Sequence, residues 1–237
     1  MYRKLLLLST LISVFILAAV SGQADQLGGP NEPPQSKLDH PNDINWSNQF
    51  APAGLNEHVM ALTIYDNKLI AAGDTLTNVV SWDGSRWDSL GTAFSGADAN
   101  VYALTVYDNK LIAAGDFNLS NGIAANMIAA WDGSSWSALG TGIGGDNSSV
   151  QALAVYDGKL IAAGDFDTAG GVPVDNIAAW NGTSWSAIPT GGGDSLARVD
   201  ALTVYDGELI AGVQINTDQS YDYVVAWNGS SWSTLGE

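Results

Sequence analysis

Two short stretches of this 237-residue chain carry oxygen side chains at a spacing that lets a loop wrap a hard cation. "DFNLSNG" places Asp116, Asn118 and Ser120 at alternate positions, and "DFDTAGG" does the same with Asp165 and Asp167. Calcium takes roughly six to eight oxygen ligands, and alternate loop positions can converge on one ion. Asp116, Asn118, Asp165 and Asp167 are therefore the calcium candidates. Neither loop supplies the distal bidentate Glu of an EF-hand, and Ala169 holds the fifth position of the second. Short polar side chains that cap loops account for the same residues. Turn capping is the preferred reading, and no cofactor is expected.

Other chemistry is sparse. The chain has two histidines, His40 and His58, no cysteine, and no G-x-S-x-G elbow. Thiol catalysis and disulfides are thereby excluded. "GTGIGG", Gly140 to Gly145, satisfies G-x-G-x-x-G, but "VQALAVYD" follows it. A strand there denies a pyrophosphate the helix N-terminus it needs, so this is a loop. The "WDGSSW" segments differ in spacing from a sialidase Asp-box, and turn chemistry explains them. Asn181 and Asn228 head formal glycosylation sequons, yet a hairpin turn asks for the same Asn-Gly. Paired-carboxylate hydrolysis stays open, because Asp and Glu number 25.

The elements that would hold these residues are written four times. "VMALTIYDNKLIAAGDT" (59–75), "VYALTVYDNKLIAAGDF" (101–117), "VQALAVYDGKLIAAGDF" (150–166) and "VDALTVYDGELIAGVQI" (199–215) are copies of one segment. Trp82, Trp131, Trp180 and Trp227 repeat with it, and so do Trp87, Trp136, Trp185 and Trp232. A period of about 40 to 50 residues with short strands marks a propeller blade. Each unit divides into four strands: an alternating one, a "DG" or "DN" type I′ turn, and an apolar one sandwiched between neighbours. A polar loop, "AAW", a second Asx-Gly turn and "SWSA" complete it. The expected fold is all-β, a propeller-like array of four four-stranded blades at about 59–90, 101–139, 150–188 and 199–235. An additional strand is expected at 45–50, "NWSNQF". Small residues fill the first two strands and tryptophans the last two, where blades diverge.

The unit resembles the kelch-like, galactose-oxidase-type propeller repeat, in a Trp-rich form found tandemly in secreted bacterial proteins. The likeness spans residues 46 to 237. It departs from the kelch pattern in having Gly115-Asp116 or Gly164-Asp165 where a Gly-Gly pair is usual. The resemblance implies a scaffold whose members include oxidases, glycan-active enzymes and plain binding modules, so it says little about activity.

Upstream, "MYRK" and the apolar run Leu5 to Val20, followed by small residues, read as a signal peptide over 1–22. Residues 23–44, with "PNEPP", read as a flexible linker, and the propeller domain occupies 45–237. Lys plus Arg number 8, so losing Arg3 and Lys4 with the leader leaves 6 against 25 acids, a net charge of about −19. Such a surface repels nucleic acid and anionic lipid, and no membrane span remains after cleavage. The expected location is secreted, extracellular or periplasmic. The chain closes four blades as a monomer, which is preferred, forms an open array, or completes a ring as a homodimer. The leading function is a non-catalytic module for an extracellular protein or glycan. Its alternative is a secreted carbohydrate-active enzyme, a hydrolase or lyase using carboxylates on one propeller face. The variable loops between strands two and three carry the candidate ligand-binding residues Asp116, Asn118, Asn121, Asn126, Asp165, Asp167, Asp175 and Asp218.

Overall fold

The computed structural model describes residues 58–73, 79–91, 94–119, 126–145, 148–190, 196–215 and 221–235, without the side chains of 94–98, 118–119, 196–197, 215 and 221–222. The leader, the linker and the strand at 45–50 lie outside the described residues, as do Asn121 and Asp218.

Alternating apolar residues and tight turns produce four antiparallel meanders. The first blade is β1 (Val59–Tyr65), β2 (Lys68–Gly73), β3 (Val80–Trp82) and β4 (Trp87–Ser89). The second is β5 (Phe94–Tyr107), β6 (Lys110–Leu119), β7 (Asn126–Trp131) and β8 (Trp136–Ala138), followed by a short strand β9 (Ile143–Gly144). The third has β10 (Ser149–Tyr156), β11 (Lys159–Asp165), a small hairpin β12 (Thr168–Ala169) and β13 (Val172–Pro173), then β14 (Ile177–Trp180) and β15 (Trp185–Ala187). The fourth is β16 (Leu196–Tyr205), β17 (Glu208–Ile215), β18 (Tyr221–Trp227) and β19 (Trp232–Thr234). Each blade's four main strands pair in chain order, and no helix occurs among the described residues.

The first turn of each blade is the expected type I′. Asp66 and Asn67, Asp108 and Asn109, Asp157 and Gly158, and Asp206 and Gly207 all have positive φ, between 49° and 81°. That backbone twist matches the right-handed twist of the flanking strands. The second turn is not a two-residue one. It is a four-residue loop in which only the Gly has positive φ and the leading Asx caps the turn. In the second blade Asp132 Oδ1 accepts from the backbone N–H of Ser134 and of Ser135, each at 2.8 Å.

Strand one carries a bulge at the same place in every blade, between Val59 and Ala61 and at its equivalents. In the third blade the bulge lays the Ser149 carbonyl over Gly164, where a Cβ would strike it. This close approach explains a glycine ahead of Asp165.

Blades stack face to face through three apolar clusters. Blades one and two share Ile70, Ala72 and Val79 with Leu111, Ala113 and Trp136. Ile112, Ile128 and Leu139 pack on Leu160, Trp180 and Trp185 of the third blade. Ile161, Ile177 and Ile188 pack on Leu209, Val225 and Trp227 of the fourth. Strand two is thus buried on both faces: Leu160, Ile161, Ala162 and Ala163 are at most 1% exposed. Each buried Leu or Ile contributes about 1.5–3 kcal/mol.

The repeated aromatic residues stitch the junctions. Trp180 and Trp185 form a tilted cross-strand pair with centroids 5.3 Å apart, and the other three blades repeat it at 5.4–5.5 Å. In blades two, three and four the second Trp of the pair also reaches back. The Nε1–H of Trp136 donates to the Leu90 carbonyl at 2.7 Å, that of Trp185 to Leu139 at 2.9 Å and that of Trp232 to Pro189 at 3.1 Å. Tyrosines reach forward: the Tyr65 hydroxyl donates to the Asn109 carbonyl and that of Tyr107 to Gly158.

Candidate functional site

The second strand of each blade ends at one edge, and the connection to strand three leaves from there. Asp116 and Asp165 sit at equivalent positions on that edge, opposite Asn100 and Ser149, and both are exposed. In the second blade the ladder runs on, with the backbone of Asn118 pairing with Ser95 and with Asn126. Asn126 is half-buried, and its backbone lies against Gly142, where a Cβ would meet the Asn126 carbonyl oxygen at 2.6 Å. The sequence places Asn126 among the candidate ligand-binding residues, and here it is half-buried rather than exposed.

The third blade's connection is a built structure rather than a plain loop. Its hairpin β12–β13 pairs with β9 of the preceding linker, through Thr168 opposite Gly144 and Ala169 opposite Ile143. Gly170 N–H donates to the Gly142 carbonyl at 2.8 Å, and Val174 N–H to the Asp167 carbonyl at 2.9 Å. The "GTGIGG" segment therefore supplies an edge strand to this small sheet. Beneath it Phe166 is buried, and its N–H donates to Asn176 Oδ1 at 2.8 Å.

Three candidates from the sequence belong to this connection. Asp165 and Asp167 are exposed, and Asp167 lies beside Gly145, where a Cβ would stand 2.8 Å from Asp167 Oδ1 and 2.5 Å from Ser148 Oγ. Asp175 is partly buried and its Oδ2 accepts the Thr190 hydroxyl at 2.8 Å, tying the hairpin to the following linker. Asp116 and Asn118 belong to the second blade's own edge. No group of three or more His, Cys, Asp or Glu fit to hold a metal occurs among the described residues.

Sequence reading missed Ser148, Asn176 and Met127. Ser148 Oγ is buried with no hydrogen-bond partner, close to Asp167. Asn176 has φ 61°, a left-handed conformation Asn tolerates, and its side chain holds the start of the connection. Met127 occupies the equivalent position with φ 62°, which costs a bulky side chain about 1–3 kcal/mol. Aligning the four "AAW" segments would have exposed the Asn176–Met127 correspondence.

No protein-family model matches the chain, and no curated protein does. Solved structures do resemble it. The computationally designed Ika4 protein matches at 18% identity over 73% of this chain and 94% of its own, with a TM-score of 0.44. The WD40 beta propeller domain of Doa1 matches at 16% over 75% of this chain and 68% of its own, at 0.42. The extracellular domain of the putative hybrid two-component system BT4673 from B. thetaiotaomicron gives 10% identity over 74% of this chain and 0.47, and this chain spans only 21% of it. Likeness at this level concerns fold alone.

Proposed function

We propose that this chain is a secreted or cell-surface binding module, without catalysis, that presents its strand-two-to-three connections to an extracellular protein or glycan. One observation carries the reading. The four frameworks repeat the same turns, bulge and tryptophan pairs, while the connections differ from blade to blade. In the third blade the connection is raised into a hairpin anchored to both neighbouring linkers. Variable loops fixed on a rigid scaffold are where recognition is placed. The kelch-like, galactose-oxidase-type character of the repeat, and a leader over residues 1–22 that exports it, belong to the same proposal.

A panel of immobilised polysaccharides and envelope proteins tests it, scored for retention and for released product. Retention without product is expected, weakened at least about tenfold by Asp167→Ala and unchanged by a calcium chelator. Product release lost in Asp165→Asn would overturn the reading in favour of a carbohydrate-active enzyme. Retention lost on chelation would move Asp116, Asn118, Asp165 and Asp167 from turn caps to metal ligands.

A further inference from the structure

The three junctions inside the chain define what a fourth would need, and the two end blades supply its halves. Leu111, Leu160 and Leu209 are each 0% exposed because the preceding blade covers them, whereas the equivalent Leu69 is 38% exposed. Val79, Ile128 and Ile177 are each 0% exposed beneath the following blade, whereas the equivalent Val224 is 48% exposed. Leu62 lies open on the first blade, and Tyr205 and Leu235 on the fourth. No buried cluster joins these two blades among the described residues.

The polar groups are complementary as well. Trp87 Nε1 is a buried donor with no partner, at the position from which Trp136, Trp185 and Trp232 bond a preceding blade. The matching acceptor position is the carbonyl of Leu235, equivalent to Leu90 and Leu139. Tyr205 is 73% exposed, where Tyr65 and Tyr107 bond the next blade. A Cβ on Gly133 or Gly182 would meet such a tyrosine hydroxyl at 3.9 Å, but at the equivalent Gly84 it would meet nothing within 4 Å.

Charge departs from the repeat at the same two ends. Strand two opens with Lys68, Lys110 and Lys159 in three blades and with Glu208 in the fourth. Lys110 lines a groove of about 190 Å³ shared with Trp180 and Gly182 of the next blade, so this position faces the neighbour's second turn. That turn ends in Ser135, Ser184 and Ser231 in three blades and in Arg86 in the first. A junction of the fourth blade with a first blade sets Glu208 toward Arg86. Arg86 is 72% exposed and reaches Asp88 Oδ2 at 3.2 Å on its own blade.

From these observations we infer that the fourth blade docks on the first blade of a second copy of this chain, head to tail. The interface continues one the molecule already makes three times. Among the described residues both faces stay open within one copy, and each matches the other's half of the repeated junction, which is why the occupant is a second copy. Two copies joined at both ends form eight blades, inside the usual range of about four to eight. A heterologous interface closes into such a ring when its rotation permits. This inference does not rest on the proposed ligand face.

Sedimentation velocity on the purified chain across about a hundredfold dilution tests it. A mass of two copies is expected, falling to one copy in Leu69→Asp and in Val224→Arg. Both sites are exposed within the single copy, and circular dichroism should show their β-structure retained. Mixing the two variants should restore a two-copy mass, because one intact junction remains between them. Arg86→Glu and Glu208→Lys should each weaken association by about tenfold, and the double variant should recover it. A one-copy mass at every concentration overturns the inference. So does a dimer that survives both apolar variants, or one that mixing fails to restore.

Discussion

The junction between the second and third blades and the outer face of the first are built from the same residues, yet they are different surfaces. At the junction, Leu160 is sealed and Trp185 bonds the Leu139 carbonyl. On the outer face Leu69 is open and the Trp87 donor has no partner. Sequence differs little between the two; what differs is whether a blade lies in front. In this molecule the repeating unit of stability is the interface, and a blade acquires a core only from its neighbours.

Truncating the matched leucines should break the equivalence most visibly. Leu160→Ala removes a fully enclosed side chain and leaves a cavity, a loss of about 2–5 kcal/mol. Leu69→Ala, measured at a dilution where the chain is a single copy, should cost under about 1 kcal/mol because water already reaches the site. Urea unfolding of both variants checks this. Equal losses would mean that the first blade is covered after all.

Replacing the matched tryptophans is the subtler test. Trp185→Phe deletes one of two donors to the Leu139 carbonyl, which keeps the Gly142 N–H at 3.2 Å, so the loss is that of one hydrogen bond, about 0.5–1.5 kcal/mol. Trp87→Phe deletes a donor that has no partner, which relieves a desolvation cost and offsets part of the lost packing. The two losses should differ by about 1 kcal/mol, Trp185→Phe being the larger, in denaturant titrations at a dilution where the chain is a single copy. A difference near zero would show that the indole N–H bonds contribute nothing to blade docking.

Fold was legible because repetition supplies its own evidence. The 59–75 segment and its copies gave strand order and the type I′ turns, since Asp-Asn and Asp-Gly tolerate positive φ at both positions. For the second turn the sequence shows only Asx-Gly, which does not set the length of the loop. Its real form depends on hydrogen bonds from residues two and three places on, such as those from Thr183 and Ser184 to Asn181. The hairpin at 168–173 was hidden for another reason: its partner strand, Ile143–Gly144, lies in a glycine-rich linker some 25 residues earlier. Long-range pairing of two-residue strands leaves no local period to read. Asp165 and Asp167 stand out in the sequence by their alternate spacing, whereas Ser148 could emerge only from the folded contact with Gly145.

The smallest expected effect separates the first two blades from the last two. The second turn is capped by Asp83 and Asp132 in one pair and by Asn181 and Asn228 in the other, with the same donors. The Arg86 and Ser85 N–H groups and the Ser85 hydroxyl hold the Asp83 carboxyl well below its ordinary value, to about 2. Bonds from the Ser135 and Ser134 N–H groups, then from the Ser134 hydroxyl, do the same for Asp132, also to about 2. A pKa depressed by folding means a stabilising contribution that is complete above the unfolded value and is lost as pH falls toward the folded one. The relevant window is therefore about pH 4 down to pH 2. Protonation removes an acceptor charge that Asn181 and Asn228 never had. Across that window amide exchange should quicken at Ser85, Arg86, Ser134 and Ser135 and stay level at Thr183, Ser184, Ser230 and Ser231. Asp132→Asn should flatten the response of its own turn alone. Both carboxylates are open to solvent, so global stability should shift little while these local protons report the change. Parallel acid responses in all four turns would show that the caps do not govern this behaviour.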